Sequence, residues 1–431
     1  MLNPNFISNL KLQLSPQSRI LADSATDDFK ESLLRWSDID LEVPGTIVRL
    51  AAQYDVAFVP KSGGHSLWST IGAEGFIIDL ARLKKISVDK PTGQITVQSG
   101  VFVKEANDAA FENGLCLPLG SANTAGVIPM ALGGGLSGFS PICGCTSDNI
   151  VSARLVTADG TLLTVSESSH PELFWALRGA GQFFGLITKL TLRGHPLSIL
   201  GTGDGTIWTG SIRSLTTQLL RRPAFSSPPP AFETLIMIFP FYFGHATEAE
   251  AFYKPLLDLS PLMSDLKNVS YNRMNDICDP FCSKGGFKRF AGAGATTFKP
   301  EVWPRILEYY KTKCPDARAT AYAFEWESYV PKNKPPAQDT AFRHKDIRVW
   351  AATQETLWWY TDPVSHGDVF RIEQEVLAYF RSQYDGMLVT YQNWSRDVPL
   401  EQLYRDTGTL GRLRLLKKEW DPKGVFTKLL L

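Results

Sequence analysis

The feature that most constrains this chain is Lys61-Ser62-Gly63-Gly64-His65-Ser66, which follows the short apolar run Ala57-Phe58-Val59-Pro60 and precedes a second one, Phe76 to Leu80. A strand running into paired glycines delivers several backbone N–H groups and one imidazole to the same small space. Adjacent glycines permit φ > 0 and close approach to a ligand, and consecutive N–H groups in such a turn cradle an anion. An imidazole beside a pyrophosphate cradle points to a cofactor that is both phosphorylated and reactive. Gly-Gly turns are common, however, and a lone turn histidine is ordinarily just solvated, so the reading needs support elsewhere in the chain.

That support lies in the same half of the sequence. Gly133-Gly134-Gly135 is followed by Ser137, Gly138 and then Asp148-Asn149-Ile150. Val151 to Gly160 reads as a strand closing in an Ala158-Asp159-Gly160 turn, and Pro171 to Gly181 as a short helix ending in another glycine-rich turn. Residues 45–54 read as a helix with Ile47, Leu50, Ala51 and Tyr54 on one face. Gln94 to Gln98 alternates as a strand, and Val103 to Glu112 carries Val103, Ala106, Ala110 and Phe111 at helical spacing, with Gly114 as its stop. Leu186 to Arg193 alternates as a half-buried strand. Around His195-Pro196 the character changes: Ser226-Ser227-Pro228-Pro229-Pro230 reads as a rigid connection and Phe232 to Phe243 as strand-like.

A chain of 431 residues buries a large core and is expected to form more than one domain. With 44 basic and 44 acidic residues the net charge is zero, so neither nucleic acid nor an anionic membrane surface is indicated as a partner. No apolar run is long enough to span a bilayer, and the first residues lack a basic start with an unbroken apolar stretch, so a cytoplasmic location is expected. Six cysteines do not make a disulfide framework in a chain of this length. Cys143-Gly144-Cys145 and Cys278-x-x-x-Cys282 have no histidine at ligand spacing, so thiols rather than a metal site are expected.

The order Ser62-Gly63-Gly64-His65-Ser66, Gly133-Gly134-Gly135-Leu136-Ser137-Gly138, Asp148 to Gly160 and His170 to Thr188 resembles the FAD-linked oxidases of the vanillyl-alcohol oxidase/p-cresol methylhydroxylase superfamily, berberine-bridge-enzyme-like branch. Tyr391-Gln392-Asn393-Trp394 and Trp420-Asp421-Pro422 with Phe426 are similar to that branch's terminal motifs. The resemblance covers residues 55–195 closely and 320–431 loosely. It implies an α+β fold: a two-part FAD-binding domain (1–197 and 386–431) with an inserted α+β substrate domain (198–385) whose antiparallel sheet covers the flavin. It further implies FAD bound by Ser62, Gly63, Gly64, His65, Ser66, Ala122, Ala125, Gly126, Gly133, Gly134, Gly135, Ser137, Asp148, Asn149, Ile150 and Asn393.

In that family the motif histidine bonds covalently to the flavin 8-methyl group, which assigns the link to His65; a neutral imidazole nitrogen is a competent nucleophile. Many relatives add a cysteine tether, and its position falls on Ala122, so a monocovalent flavin with a lower reduction potential is expected. Relatives read Val-Gly-Val-Gly-Gly where this chain has Ala125-Gly126-Val127-Ile128-Pro129, so the loop is expected to take a different path at Pro129. Met130 replaces a frequent histidine, Ala125 occupies the oxygen-gate position, and Phe183 replaces a common asparagine. The stretch between Trp36 and Val59 is shorter than in relatives, which hold an extra strand there.

The most consequential departure is Trp394, where relatives carry the tyrosine that removes a substrate proton; an indole is no base. The remaining candidates are Tyr391, with its phenol lowered by a cation such as Arg396, and Glu325 and Glu327, at i and i+2 on a strand-like segment. On a strand Tyr391 and Asn393 would face the flavin and Trp394 would point away. His344 falls in a segment that lines the pocket mouth in relatives. The expected activity is oxidation of an alcohol, amine or activated C–H bond of a small aromatic or polyketide-like secondary metabolite, with dioxygen as re-oxidant and hydrogen peroxide as product. Two alternatives stand beside it: a flavoprotein scaffold reused as a non-redox isomerase or cyclase, and a non-catalytic flavin-binding protein with a pocket filled by Trp358, Trp359 and Tyr360.

Overall fold

Phe76–Asp79 is buried at all four positions because it is an inner strand, paired in parallel on both sides, of a four-stranded sheet. The computed structural model describes residues 4–14, 18–35, 46–49, 57–66, 68–73, 75–214, 224–226, 235–285, 287–313, 321–326, 339–344, 346–347, 349–357, 365–384, 389–394, 398–404, 406–427 and 430. Thr46–Arg49 and Phe58–Lys61 both run parallel to Phe76–Asp79, and Arg19–Leu21 closes the Thr46–Arg49 edge antiparallel. Residues 46–49 are therefore a strand and not part of a helix. The run Thr46-Ile47-Val48 is β-branched throughout, and pairing with Phe76, Ile77 and Ile78 overrides the helical spacing. Residues 50–56 lie outside the described residues.

A second, antiparallel sheet orders its strands Ile86–Asp89, Gln94–Gln98, Leu186–Arg193, Ile150–Val156 and Leu162–Ser166. Ile95, Val97, Leu190 and Leu192 are fully buried, as their alternation requires. The helix Val103–Glu112 begins where the Glu105 side chain accepts from the Phe102 N–H at 2.7 Å, and it ends at Gly114 with φ 74°. It and the helix Pro171–Ala180 supply residues to the same apolar core as this sheet, and Leu410, Leu413 and Leu416 of the C-terminal helix Thr407–Trp420 bury their side chains in that core too.

A third sheet of seven antiparallel strands places Ala321–Trp326 and Val349–Leu357 next to each other, with Phe287–Ala295 at one edge. Trp303, Ile306 and Leu307 of the helix Trp303–Lys313 pack with Val376, Leu377 and Phe380 of the helix Ser365–Ser382 over Ile236, Ile238, Ala293 and Ala295. The run Phe232 to Phe243 is not one strand. Leu235–Ile238 joins the seven-stranded sheet, whereas Phe241–Tyr242 pairs with Thr206–Thr209 in a separate three-stranded sheet, the chain changing sheets at Pro240. Leu200, Ile207, Tyr271, Met274 and Ala341 reach across into the first core, so the 198–385 stretch is fastened to the first unit by buried contacts. Among the described residues no helix is long and apolar enough to cross a membrane, and Cys116, Cys143, Cys145, Cys278 and Cys282 are thiols rather than disulfides.

Candidate active site

The loop Ser62–Ser66 leaves the end of Phe58–Lys61 and meets the segment Thr124–Gly126 backbone to backbone. A Cβ on Gly63 would lie 2.6 Å from the Gly126 nitrogen and 2.6 Å from the Thr124 oxygen, and Gly64 sits at φ 71°. Only glycine satisfies both positions. Behind Gly64 are the stems of Arg35 and Lys61, each 3.2 Å from where a Cβ would stand. Both are buried, and the Lys61 ammonium donates to the Ser32 carbonyl at 2.7 Å and lies 3.8 Å from Asp79.

This loop forms one wall of a cavity of about 970 Å³. Ser62, Gly63, Gly64, His65, Ser66, Ala122, Ala125, Gly126 and Ser137 line it, as does Asn393. Phe239, Phe281 and Trp350 line it from the 198–385 stretch, and Phe58, Leu80 and Phe426 from the first sheet's side. Among the described lining residues none is Asp, Glu, Lys or Arg. The fit to a dinucleotide rests on the lining: the glycine-rich backbone of the 62–66 loop with Ser62 and Ser66 on one wall, and apolar walls beyond. A pyrophosphate there would be held by peptide dipoles and the Ser66 hydroxyl, since Ser62 Oγ donates its hydrogen to the Ser99 carbonyl at 2.5 Å, with Lys61 and Arg35 acting from behind the wall.

Several expected contact residues stand behind the cavity surface instead. A Cβ on Gly133 would strike the Asn393 amide, one on Gly134 the Phe342 ring and one on Gly135 the Thr146 side chain, so these glycines serve close packing. Asp148 accepts from the Cys145 N–H at 3.0 Å. Asn149 donates to the Cys143 and Cys145 carbonyls at 3.0 and 2.9 Å, while its oxygen meets His195 Nε2 at 2.8 Å. Ile150 opens a core strand. The polar groups of Asp148 and Asn149 are consumed in holding the loop that shapes the cavity, which is why their spacing resembled a binding motif.

Tyr391 is 3 % exposed, and its oxygen accepts the Gly135 and Leu136 N–H groups, both at 3.1 Å, and Asn393 Nδ2 at 2.7 Å. Burial pushes its phenol well above the ordinary value, and the hydrogen bonds offset this only in part. A phenol lowered toward neutrality is therefore corrected to one raised by its surroundings. Gln392–Trp394 is a 3-10 turn, not a strand, so Trp394 is not turned away: its ring packs edge-on against Tyr391 at 5.0 Å, and both line the cavity. Arg396 and Glu327 lie outside the described residues. Glu325 belongs to Ala321–Trp326, in register with Trp350.

His344 is buried behind the lining, its Nε2 2.6 Å from the Leu403 carbonyl and its ring against Phe342 and Trp350, rather than at a pocket mouth. Pro129 falls in the first turn of Val127–Leu132, where a missing N–H costs nothing. Met130 accepts the Gly120 N–H through sulfur at 3.2 Å, and Phe183 lines the cavity. Sequence reasoning missed Thr124, whose hydroxyl touches His65, and the cavity-facing Cys278 and Cys282. Thr124 was legible from its place between Ala122 and Gly126; the cysteines carry no local signal.

Comparison with known proteins agrees with this geometry. Residues 45–166 match the FAD binding domain. An FAD-linked oxidoreductase of Aspergillus fumigatus is 26% identical over 95% of both chains. A Physcomitrella patens BBE-like protein superposes with TM-score 0.79 at 20% identity, over 95% of this chain and 96% of its own. A glucooligosaccharide oxidase from Acremonium strictum, described with a 6-S-cysteinyl, 8α-N1-histidyl FAD, superposes with TM-score 0.77 at 17% identity over 95% of this chain and 96% of its own.

Proposed function

We propose that the chain is an FAD-linked oxidoreductase of the berberine-bridge-enzyme-like kind and that it oxidises a small-molecule metabolite, at an alcohol, amine or activated C–H bond, with dioxygen as re-oxidant. The observation that carries this reading is the single cavity joining the Ser62–Ser66 cradle to the Tyr391, Trp394 and Trp350 cluster. Bound FAD supplies a two-electron acceptor. His65 stands at the cradle and is the residue we assign to a monocovalent link, Ala122 offering no thiol for a second one. The aromatic wall excludes water and orients a flat apolar substrate. Ala125 leaves room for dioxygen beside the cradle.

Tyr391 acts as an anchor in this reading: its oxygen ties the Gly135 and Leu136 backbone to the C-terminal segment. The proton leaving the substrate then goes to Glu325 or Glu327. We assign the chain two-part cofactor binding over 1–197 and 386–431 and substrate binding over 198–385, with a role in secondary metabolism.

Purified protein is expected to be yellow, with colour that survives acid precipitation, and His65→Ala releases that colour into the supernatant. A colourless preparation that also ignores added FAD sinks the flavin reading. The engaged state of the Tyr391 hydroxyl also favours a second reading, a non-redox isomerase or cyclase, because that phenol, pushed up by burial, is not a prepared base. Product mass separates the two: loss of two hydrogens with peroxide marks oxidation, and unchanged mass without peroxide marks isomerisation.

A further inference from the structure

We propose that Asn275 is a polar anchor of the substrate compartment, its Oδ1 accepting a hydrogen bond from a hydroxyl on a flat, uncharged ring packed on Phe239 and Phe281. This names a substrate class for the oxidoreductase reading and rests on that reading for the reaction that follows binding. Residues three apart on a 3-10 segment lie on the same face. On Tyr271–Phe281, Asn275, Cys278 and Phe281 share one face, and all three line the cavity. Asp276 and Asp279 share the next face, and both accept from Asn123 Nδ2, at 3.1 and 2.9 Å. Tyr271, at the start of the segment, accepts the Leu117 N–H at 2.8 Å. These bonds fasten the segment to the 117–123 stretch and set which face turns to the cavity.

Asn275 is 1 % exposed, and its Nδ2 donates to the Gly120 carbonyl at 3.0 Å. A carbonyl only accepts, so this contact decides which end of the amide is the NH2 group and holds the side chain in one orientation. Among the described residues no group donates to Oδ1. Around it the wall is apolar. Every cavity-lining residue between 237 and 243 is Met, Ile, Phe or Pro, and the Phe239 and Phe281 rings meet edge-on with centroids 6.0 Å apart.

An apolar wall carrying one fixed acceptor selects a ligand that is apolar apart from one matching donor. A ring hydroxyl meets Oδ1 with a hydrogen bond. The methyl ether of the same ring covers Oδ1 and leaves it buried without a donor, which costs affinity despite the extra apolar surface. An ammonium also donates, but none of the described lining residues is acidic, so its charge would be buried without a partner. The class that fits is a neutral hydroxylated aromatic.

The test is equilibrium dialysis of the FAD-loaded full chain against 2-naphthol and, separately, 2-methoxynaphthalene. Wild type is expected to bind the naphthol about tenfold more tightly than its ether. Asn275→Leu keeps the size and removes the acceptor, so it should bind the two probes alike with FAD content unchanged. Asn275→Asp keeps an acceptor oxygen and should hold the preference. Equal binding of both probes by wild type overturns the proposal, as does binding of neither. A preference that survives in Asn275→Leu overturns it too, because the discrimination then lies elsewhere. Loss of the preference in both variants places the effect in the Gly120 contact, and loss of FAD in Asn275→Leu places the amide on the cofactor; either result overturns it. If Asn275→Leu does not fold, Asn275→Ala carries the same comparison. A chain that holds no FAD fails the flavin reading separately, and the same dialysis on the flavin-free protein then decides the proposal by the same criteria.

Discussion

Asn393 Nδ2 donates to the Tyr391 hydroxyl at 2.7 Å and to the Met130 carbonyl at 2.9 Å, so two residues two positions apart together hold the glycine-rich 133–136 stretch and the helix before it. The amide fills the space a Gly133 side chain would take, and the phenol oxygen collects two backbone N–H groups that would otherwise be buried without partners. The polar atoms of this cavity-lining motif fasten the glycine-rich stretch.

Tyr391→Phe follows from that clamp. Leaving the Gly135 and Leu136 N–H groups without their acceptor is expected to cost about 1–3 kcal/mol of stability, read by urea denaturation. Flavin reduction should slow by less than about tenfold, whereas loss of a general base costs on the order of 100-fold or more. Stopped-flow reduction slowed a hundredfold with unchanged stability would return the base to Tyr391.

Gly63→Ala drives a methyl group against the Gly126 nitrogen and Thr124 oxygen, both backbone atoms with nowhere to go. An overpacking cost of about 1–3 kcal/mol is expected. Spent on the bound state, it weakens FAD binding by about 10- to 100-fold, measured by flavin titration of refolded or flavin-depleted protein. Unchanged affinity would mean that the two loops separate freely.

Lys417 and Asp421 are both fully buried on the helix Thr407–Trp420 and its cap, with Lys417 donating to the Phe183 carbonyl at 2.7 Å and Asp421 accepting from the Val425 and Phe426 N–H groups at 2.7 and 3.0 Å. Lys417→Met strands a buried carboxylate and is expected to destabilise by about 3–5 kcal/mol. The double variant Lys417→Met/Asp421→Asn should recover part of this in the same chemical melts, and no recovery would show that the charge was not the problem.

Asp406 caps the helix Thr407–Trp420 by accepting from the Thr409 N–H and, at 2.8 Å, its hydroxyl. Burial alone would raise its carboxyl, but the Thr409 bonds and Arg343 outweigh that and hold it below the usual carboxylate range. A depressed folded value stabilises above the unfolded Asp value of about 3.9 and is lost as pH falls through the folded value. Asp406→Ala should cost about 0.5–2 kcal/mol at pH 7, with the gap to wild type closing only below about pH 4. A gap independent of pH down to acid unfolding would contradict the charged cap.

The sequence by itself determined the elements whose period or backbone demand is local. Gln94–Gln98 and Leu186–Arg193 alternate because each covers one face of a core, and Val103–Glu112 stops at a glycine with positive φ. The glycine turn in Ser62–Ser66 was legible because Gly63 packs against backbone and Gly64 takes a positive φ, demands no other residue type meets. Only the tertiary structure decided matters that depend on a distant partner. Thr46–Arg49 carried helical spacing, yet parallel pairing with Phe76–Asp79 made it a strand. Tyr391 and Asp148 have the chemistry of site residues, but their polar atoms are taken by Gly135, Leu136 and Cys145. His65 Nε2 meets the Thr124 hydroxyl, 59 positions along the chain, at 2.8 Å. Period and glycine placement act over a few residues, whereas the charge and hydrogen-bond state of a side chain belongs to whatever folding brings against it.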